Sequence, residues 1–426
     1  MTAAPLLPAP APAHRHALTF IFFTLLLDVI GFGLIIPVTP KLIQRLHGGS
    51  LAEAATWGGY LGFAYAGLQF LTAPVLGGLS DRFGRRPVLL FSLVGFGLDY
   101  VLQGVAPTLG WLFVGRCIAG ITGASFTVAS AYIADISTPE KRAQNFGLIG
   151  MAFGIGFILG PVIGGLLGAE FGPRAPFFAA AGLALLNAVY GYFVLPESLD
   201  AAHRRPFDWR RANSIGSLKN LGRYPQILGL AGALLLLYIA GHAAQSTWTY
   251  FTFERFQWTE RQVGYSLAFV GLVIGVVEGG LTRLVIPRLG QRRTVLLGFT
   301  FYVIGFLCFA FATHGWMMYA FMIPYGLGSL ADPAVQALVS ESVPPSEQGE
   351  LQGALTSLVS VASIIGPLLM TGLFAHFSRH AAGAPYFPGA PFLAGAVLAL
   401  LALGLVSWSF RRQRVTKPPT HAEAAP

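Results

Sequence analysis

Five ionisable side chains lie inside long apolar stretches of the sequence: Asp28, Asp99, Arg116, Glu278 and Asp332. A charge at the centre of a membrane-spanning helix costs about 2.5–3.5 kcal/mol on insertion scales, so it normally faces a cavity or a partner. A carboxyl group that binds and releases a proton inside a membrane can couple proton flow to the movement of a solute. We therefore predict that these five residues couple a transport process to protons.

A structural role is the alternative for each of these residues. Asp28 could partner a polar group near a helix end. Arg116 could pair with an acid or extend its charge to the membrane interface. Glu278 and Asp332 could be satisfied by Arg283 or by backbone groups, which would leave the coupling to the acids of the first half.

Other polar or amphipathic side chains within the apolar stretches are expected to line a central cavity and bind a solute: Gln69, His242, Gln245, Trp248 and Gln336. For His242, the alternative is a histidine satisfied within the protein. The two cysteines have no zinc-ligand spacing, and the sequence has no GxxxxGK[ST] phosphate loop. We therefore expect no metal, no cofactor, no catalytic residue and an energy source other than ATP.

Long apolar helices must hold these residues. The chain has 426 residues, of which 54% are hydrophobic and only 11% charged, whereas soluble domains average about 25% charged residues. Twelve runs are long enough to span a bilayer, approximately at 18–40, 57–79, 87–104, 111–134, 147–167, 175–195, 225–250, 264–284, 295–312, 316–339, 351–374 and 391–410. The sequence therefore predicts an all-α membrane protein with twelve transmembrane helices.

The longest polar stretch divides the runs into two groups of six. We predict a disordered tail, a six-helix bundle, a linker, a second six-helix bundle and a second disordered tail over 1–16, 17–195, 196–224, 225–411 and 412–426. Of the 27 Lys and Arg residues, twenty fall on the linker's side of the membrane and six on the other. Because basic residues accumulate in cytoplasmic loops, both termini are expected in the cytoplasm. The net charge of +9 then reflects topology rather than nucleic-acid binding.

The two groups of six repeat one another. RFGRRPVLL at Arg82–Leu90 resembles RLGQRRTVLL at Arg288–Leu297, an offset of 206 residues. The same offset relates further residues: Asp135 to Glu341, Pro139 to Pro345, and Gly160-Pro161 to Gly366-Pro367. A duplicated unit of this kind predicts a substrate site near mid-membrane, where the two repeats meet.

Three motifs follow one another in the order and spacing of the major facilitator superfamily. GGLSDRFGRRP at 77–87 resembles its signature loop, and GRCIAGITGASFTVASAYIAD at 115–135 resembles its fourth-helix motif. GIGFILGPVIGG at 154–165 resembles the fifth-helix motif of its drug–proton antiporters. LLLDVIGFGLIIPVTPKL in the first run and QGELQGALTSL at 348–358 resemble the tetracycline-resistance efflux proteins.

This resemblance covers roughly residues 20–410. It implies two six-helix halves related by a pseudo-two-fold axis and proton-driven export of a small organic compound, tetracycline-like or of the multidrug kind. It also implies a cytoplasmic gating latch of Asp81, Arg82, Arg85, Arg86 and Asp135, in which Asp81 faces a helix N-terminus and Arg85 pairs with Asp135. The alternative is that these charges are solvated and only set topology.

The second half departs from the tetracycline-resistance pattern. The acid of the family's ninth helix is replaced by Tyr302 or a close neighbour, and the family's eighth-helix histidine falls near Ile274. Glu278 and Asp332 stand in the eighth and tenth runs instead. Because a cation favours an ionised carboxylate and so expels its proton, we expect cationic or zwitterionic substrates.

The sequence therefore predicts a proton-coupled exporter of small organic compounds in the inner (plasma) membrane. Proton-coupled import of a sugar or metabolite is the alternative. The protein is expected to be a monomer and no enzyme. Its expected partners are a small-molecule substrate, protons and the lipid bilayer. The identity of the substrate stays open.

Overall fold

The computed structural model describes most of the chain, namely residues 13–209, 216, 227–341, 343, 348–379 and 385–415. No β-strand occurs among these residues, and nearly all of them are helical. Parts of the predicted tails and linker lie outside the described residues, at 1–12, 210–215, 217–226 and 416–426.

Eight α-helices form the described part of the first half, and the short 3₁₀ turn Ala201–His203 follows them. They are α1 (Ala13–Ile35), α2 (Thr39–His47), α3 (Leu51–Phe83), α4 (Arg85–Val105), α5 (Leu109–Thr122), α6 (Ser125–Ile136), α7 (Pro139–Phe171) and α8 (Ala175–Val194). α5 and α6 together form one span with a break at residues 123 and 124.

Eight more α-helices form the described part of the second half. They are α9 (Leu228–Phe256), α10 (Glu260–Val276), α11 (Thr282–Leu289), α12 (Gln291–Ala310), α13 (Gly315–Leu327), α14 (Ala331–Glu341), α15 (Gln348–Phe377) and α16 (Ala390–Val415). A π-helical turn, Val277–Leu281, joins α10 to α11, and a 3₁₀ turn, Gly328–Leu330, joins α13 to α14.

The predicted twelve-span architecture is confirmed. Eleven segments of the described chain are long and apolar enough to cross a membrane. The twelfth span is the pair α13 and α14, which the 3₁₀ turn divides into two pieces. Three of the twelve spans are therefore interrupted where the sequence alone predicts single runs, at 111–134, 264–284 and 316–339.

Prolines explain how the first run differs from its predicted bounds of 18–40. α1 ends at Ile35 because Pro37 lacks a backbone N–H and disfavours helical backbone in the preceding residue. Pro40 then lies in the first turn of the separate helix α2, where a missing N–H costs nothing.

Both terminal helices extend into stretches predicted as tails. α1 begins at Ala13 inside the stretch 1–16, and α16 ends at Val415 inside the stretch 412–426. A helix that is already packed along its apolar part adds a hydrogen bond with each further residue, so polar residues can prolong it.

Small residues let α7 pack closely against both halves. On one side it packs against α1, and on the other against α10 of the second half. Gly160 of α7 lies so near Gly33 of α1 that a Cβ on Gly160 would meet the Gly33 Cα at 2.8 Å. The Pro161 carbonyl approaches Gly264 of α10 in the same way. Such small-residue surfaces allow close helix contact in membranes.

The predicted repeat also appears in the backbone. Gly84 lies between α3 and α4, and Gly290, 206 residues later, lies between α11 and α12. Their φ angles are +108° and +76°. A side chain would strain the backbone in this region, so the sharp change of direction at both places requires glycine.

The two halves are joined at one end of the molecule and separate at the other. At the joined end Lys41 and Glu260 form an ion pair of 2.7 Å between the halves, and Arg261 pairs with Glu170. At the opposite end, which carries Asp81, a cavity lies between α3 and α15. We refer to these as the joined end and the open end.

Gly160→Ala is predicted to lower the melting temperature of the detergent-purified protein. The added methyl group meets the backbone of α1, and overpacking of this kind costs about 1–3 kcal/mol. Gly154→Ala in the same helix is the control, because a Cβ there meets no atom within 4 Å. Both variants gain the same helix propensity, so equal melting temperatures for the two would contradict the close packing of α1 and α7.

Candidate functional site

A cavity of about 650 Å³ within the second half contains both of its membrane-embedded acids. We call it the acidic cavity. Its lining combines carboxylates, amides, a histidine and aromatic rings: Tyr238, His242, Gln245, Glu278, Tyr302, Phe306, Tyr325, Asp332, Gln336 and Ser363. Five residues predicted from the sequence as site residues therefore share one space, although they come from three different spans.

A local change of helix geometry positions Glu278. The turn Val277–Leu281 is π-helical, and the Thr282 hydroxyl donates to the Val277 carbonyl at 2.9 Å. A π turn contains one residue more than an α turn and often occurs at functional sites. The Glu278 side chain is exposed and lines the cavity.

Asp332 lies just beyond the break between α13 and α14. It falls in the first turn of α14, where the helix dipole favours a negative charge. The Tyr302 hydroxyl of α12 donates to Asp332 Oδ2 at 3.3 Å. Arg283, which could have satisfied the acids, does not line the cavity. No ion pair among the described residues involves Glu278 or Asp332.

Trp248, predicted to bind a solute, does not line the acidic cavity. Its indole N–H donates to the Ser266 hydroxyl at 2.9 Å, and its ring packs edge-on against Phe309 and Phe392. The side chain is only 4% exposed. The structure corrects the prediction, because the indole fills the core of the second half and satisfies its one donor there.

Asp99 and Arg116 form a buried ion pair in the first half. Asp99 is fully buried, pairs with the Arg116 guanidinium and accepts a hydrogen bond of 2.8 Å from Gln103 Nε2. The guanidinium carbon also lies 5.5 Å from the centre of the Tyr65 ring. Each charge compensates the other, and Asp99 lines neither of the two cavities described here. This geometry agrees with the alternative stated for these residues in the sequence analysis, in which Arg116 pairs with an acid and the pair has a structural role.

Asp28 of α1 is placed differently. One of its carboxylate oxygens, Oδ2, is buried without a hydrogen-bond partner among the described residues, and the Ser125 hydroxyl lies beside the carboxyl group. Burying an ionised oxygen without a partner is costly. Of the two membrane-embedded acids in the first half, Asp28 is therefore the one that binding of a proton would stabilise more.

The cavity at the open end, about 630 Å³, lies between the halves, and we call it the mouth cavity. Its lining includes Gln69, Pro74, Gly78, Asp81, Thr127, Phe207, Thr356 and Ser360. Gln69 Nε2 donates to the Gly123 carbonyl at 2.9 Å, which satisfies the backbone at the break between α5 and α6. Gln69 therefore lies in a different cavity from His242, Gln245 and Gln336.

Arg85 connects the charged segment at residues 81–86 to the C-terminal end of α6. Its Nη1 pairs with Asp81 at 2.5 Å and its Nε with Asp135 at 3.0 Å. At the equivalent point of the second half, 206 residues later, a hydrogen bond from a neutral amide replaces the ion pair: Gln291 Nε2 donates to Glu341 at 2.7 Å. The Arg85–Asp135 pair expected from the family resemblance is present.

The other two arginines of the loop make local contacts. Arg86 donates to the Tyr192 carbonyl at the end of α8. The Arg82 guanidinium lies over the neighbouring Phe83 ring, 5.1 Å from its centre. All five residues predicted as a latch therefore cluster at one end of the first half.

Glu197 completes this cluster and was not predicted. Its carboxylate accepts the backbone N–H groups of Arg85 and Arg86 at 2.8 and 3.2 Å, at the N-terminus of α4. The acid at this N-terminus is therefore Glu197, while Asp81 is bound by the Arg85 side chain. The contact joins residues 112 positions apart, so no sequence spacing signals it.

The chain matches known membrane transporters over nearly its whole length. The family model described as Major Facilitator Superfamily matches residues 21–289 and 284–426. The chain is 40% identical to the tetracycline resistance protein, class C, of Escherichia coli, over 91% of this chain and 96% of that protein. It is 37% identical to the class G protein of Vibrio anguillarum, over 90% and 95% of the two chains.

Solved structures share the fold. The human organic anion transporter MFSD10 (TETRAN) has a TM-score of 0.68 and 26% identity, over 93% of this chain and all of that one. The nucleoside transporter NupG has a TM-score of 0.76 over 92% of this chain and all of that one. At 12% identity the second likeness concerns the fold alone.

Proposed function

Because this chain belongs to the Major Facilitator Superfamily and, within it, to the tetracycline resistance proteins, we propose that it exports tetracycline-like compounds in exchange for protons. The acidic cavity carries this proposal. Glu278 and Asp332 face one solute-sized space in the second half, and no arginine or lysine among the described residues lines that space. Import of a sugar or metabolite is not favoured, since the relatives at 32–40% identity are tetracycline resistance proteins.

Exchange follows from competition for the same carboxylates. A cavity in an apolar protein solvates an ionised carboxylate poorly, so a carboxylate there is stabilised either by a proton or by a positively charged group of the substrate. Substrate binding then releases the proton, and protonation releases the substrate. If access alternates between the two sides of the membrane, this mutual exclusion couples export to proton entry.

The first-half acids have separate tasks in this proposal. Asp28, with its unpartnered oxygen, is a second proton site. Asp99 and Arg116 hold α4 to α5 through their ion pair. Gln69, at the mouth cavity, lies on the path by which substrate reaches the acidic cavity, where His242, Gln245 and Gln336 provide hydrogen bonds.

The cluster around Arg85 acts as the gating latch. It ties together the ends of α3, α4 and α6 and the segment after α8. A first half braced in this way moves as one body when the open end closes. A single chain holds both cavities, which supports action as a monomer.

The open end faces the cytoplasm of a cell whose inner (plasma) membrane holds the protein. The excess of basic residues at this end supports that orientation, with both termini cytoplasmic. The mouth cavity then opens to the cytoplasm, from which an exporter must collect its substrate.

We predict that Glu278→Gln and Asp332→Asn each reduce proton release on tetracycline binding, and that the double variant reduces it most. Each substitution removes one titrating group and keeps the shape of the side chain. The measurement is the pH change of a weakly buffered solution of detergent-purified protein. Asp200→Asn, which removes an exposed acid outside the cavity, is the control. Undiminished release from the double variant would contradict a coupling role of the acidic cavity and would leave Asp28 as the coupling site.

The latch predicts that Asp81→Asn lowers the transport rate severalfold while the protein yield stays unchanged. The amide keeps the shape of the side chain but loses the charge that holds Arg85. Transport is measured in inverted membrane vesicles, at equal amounts of protein and again with Asp200→Asn as control. A variant that transports at the wild-type rate would exclude the latch.

Orientation is tested with single cysteines at the exposed residues Asp200 and Thr313, after Cys117 and Cys308 are replaced by serine. We predict that a membrane-impermeant maleimide labels the Thr313→Cys protein in intact cells. The Asp200→Cys protein should react only after the membrane is permeabilised. The reverse pattern would refute the cytoplasmic placement of the open end.

A further inference from the structure

We propose that Phe207, in the segment that follows the first half, is a wedge that keeps the open end open. Its ring occupies part of the surface of α3 that α15 approaches when that end closes. This inference rests on the alternating access of the proposed function and makes Phe207 a positioning residue, which sets the balance between the two states. We call residues 204–209 the strap.

The strap is fixed to the open end of the first half at two points. The backbone N–H of Arg205 donates to the Asp81 carbonyl, in the last turn of α3, at 3.1 Å. The Phe207 ring lies on Gly78 of the same helix, where a Cβ would meet two ring carbons at 2.9 and 3.0 Å. Phe207 is partly buried, whereas the other five residues of the strap are exposed. The missing side chain at Gly78 therefore provides the seat for the ring.

The helices α3 and α15 run in opposite directions and pack together at the joined end. There a Cβ on Gly59 of α3 would meet Thr371 Oγ1 of α15 and would lie 3.4 Å from the Pro367 carbonyl oxygen. Towards the open end the two helices separate, and the mouth cavity lies between them. The contact of Gly59 with Thr371 therefore fixes which residues of the two helices lie at the same level.

Residues that line the mouth cavity on the two helices follow this register. Counted forwards from Gly59 and backwards from Thr371, they lie 14, 15 and 18 residues away, as the pairs Ala73 with Ser357, Pro74 with Thr356, and Gly77 with Gly353. Since both helices rise about 1.5 Å per residue, each pair lies at one level. The mouth cavity is therefore a gap between two surfaces that would meet if the helices closed in their existing register.

The Phe207 ring lies inside this gap. Its seat, Gly78, directly follows Gly77, and Phe207 itself lines the cavity. A glycine opposite a glycine, as at positions 77 and 353, allows close helix contact in membranes, but a phenyl ring beside that point keeps the helices apart. Closing the open end therefore requires the ring to leave Gly78. A contact made only in the open state shifts the equilibrium towards that state.

The test follows closure of the open end by disulfide formation between Ala73→Cys and Ser357→Cys, in full-length, detergent-purified protein whose native cysteines are replaced by serine. Two cysteines cross-link when their Cα atoms come within about 7 Å, so the rate reports how often the two surfaces meet. We expect Phe207→Ala to raise this rate severalfold. Phe207→Tyr, which keeps the ring, and Phe193→Ala, which removes a ring that is 79% exposed on α8, should not change it.

Arg205 offers a second way to detach the strap, without changing Phe207. Arg205→Pro removes the backbone N–H that donates to Asp81, and Arg204, with a ψ angle of 140°, already has the backbone conformation that is favoured before proline. Arg205→Ala loses the same guanidinium group but retains the N–H. We therefore expect faster cross-linking in Arg205→Pro than in Arg205→Ala, and equal rates would contradict the anchoring of the strap.

A cysteine at the joined end distinguishes a shift of the whole molecule from a looser strap. Thr371 is only 2% exposed, so Thr371→Cys should react slowly with a hydrophilic maleimide while the joined end is closed. Phe207→Ala should raise this rate severalfold as well, because the joined end opens when the open end closes. Unchanged cross-linking in Phe207→Ala, or faster cross-linking without faster labelling of Thr371→Cys, would overturn the proposal.

Tetracycline export by the wild-type protein in inverted vesicles distinguishes this inference from the proposed function. Export, together with unchanged cross-linking in Phe207→Ala, would overturn the inference and leave the proposed function intact. A shift of both cysteine measurements without tetracycline export would support the inference and refute the proposed substrate.

Discussion

A charge inside an apolar protein needs either a partner or a water-accessible space, and the two halves of this chain meet that requirement differently. In the first half, Asp99 is fully buried and Arg116 neutralises it. In the second half, Glu278 and Asp332 face a cavity. The first arrangement stabilises a fixed structure, whereas the second leaves two carboxylates available to protons and solutes. The proposed exchange of substrate for protons depends on this difference.

Breaks in helices create the second arrangement. A regular α-helix through residues 277–281 would present a different face to the cavity, and an unbroken tenth span would not place Asp332 in the first turn of a new helix. The π turn and the 3₁₀ turn therefore position both acids. Each break leaves some backbone groups without their usual hydrogen bonds within the helix. Such groups are tolerated inside a membrane protein where they line a cavity that water can enter.

Close helix packing makes the rest of the molecule stiff enough for such a site to work. α7 contacts α1 and α10 through glycine and proline backbone. The Lys41–Glu260 and Glu170–Arg261 pairs join the halves at one end. The Arg85 cluster braces the first half at the other end. Two stiff halves joined at one end and separated at the other are the geometry that alternating access requires.

The amino-acid sequence alone is enough to predict the twelve spans, the two-fold repeat and which residues carry charge within the membrane. These features depend on composition and on local patterns, such as apolar runs of bilayer length and the glycines at positions 84 and 290. The Arg85–Asp135 pair could also be predicted, because the resemblance to the family's motifs implies that contact.

The surroundings of those charges depend on how the chain folds in three dimensions. It paired Asp99 with Arg116, brought Glu278 and Asp332 into one cavity, moved Trp248 into the core and placed Glu197 at the N-terminus of α4. Each of these outcomes depends on which helix faces are turned towards each other across long distances in sequence. A span that is hydrophobic on all sides has little periodicity in its sequence to indicate which face turns inwards. The rotation of each helix about its own axis is therefore set by packing against its neighbours.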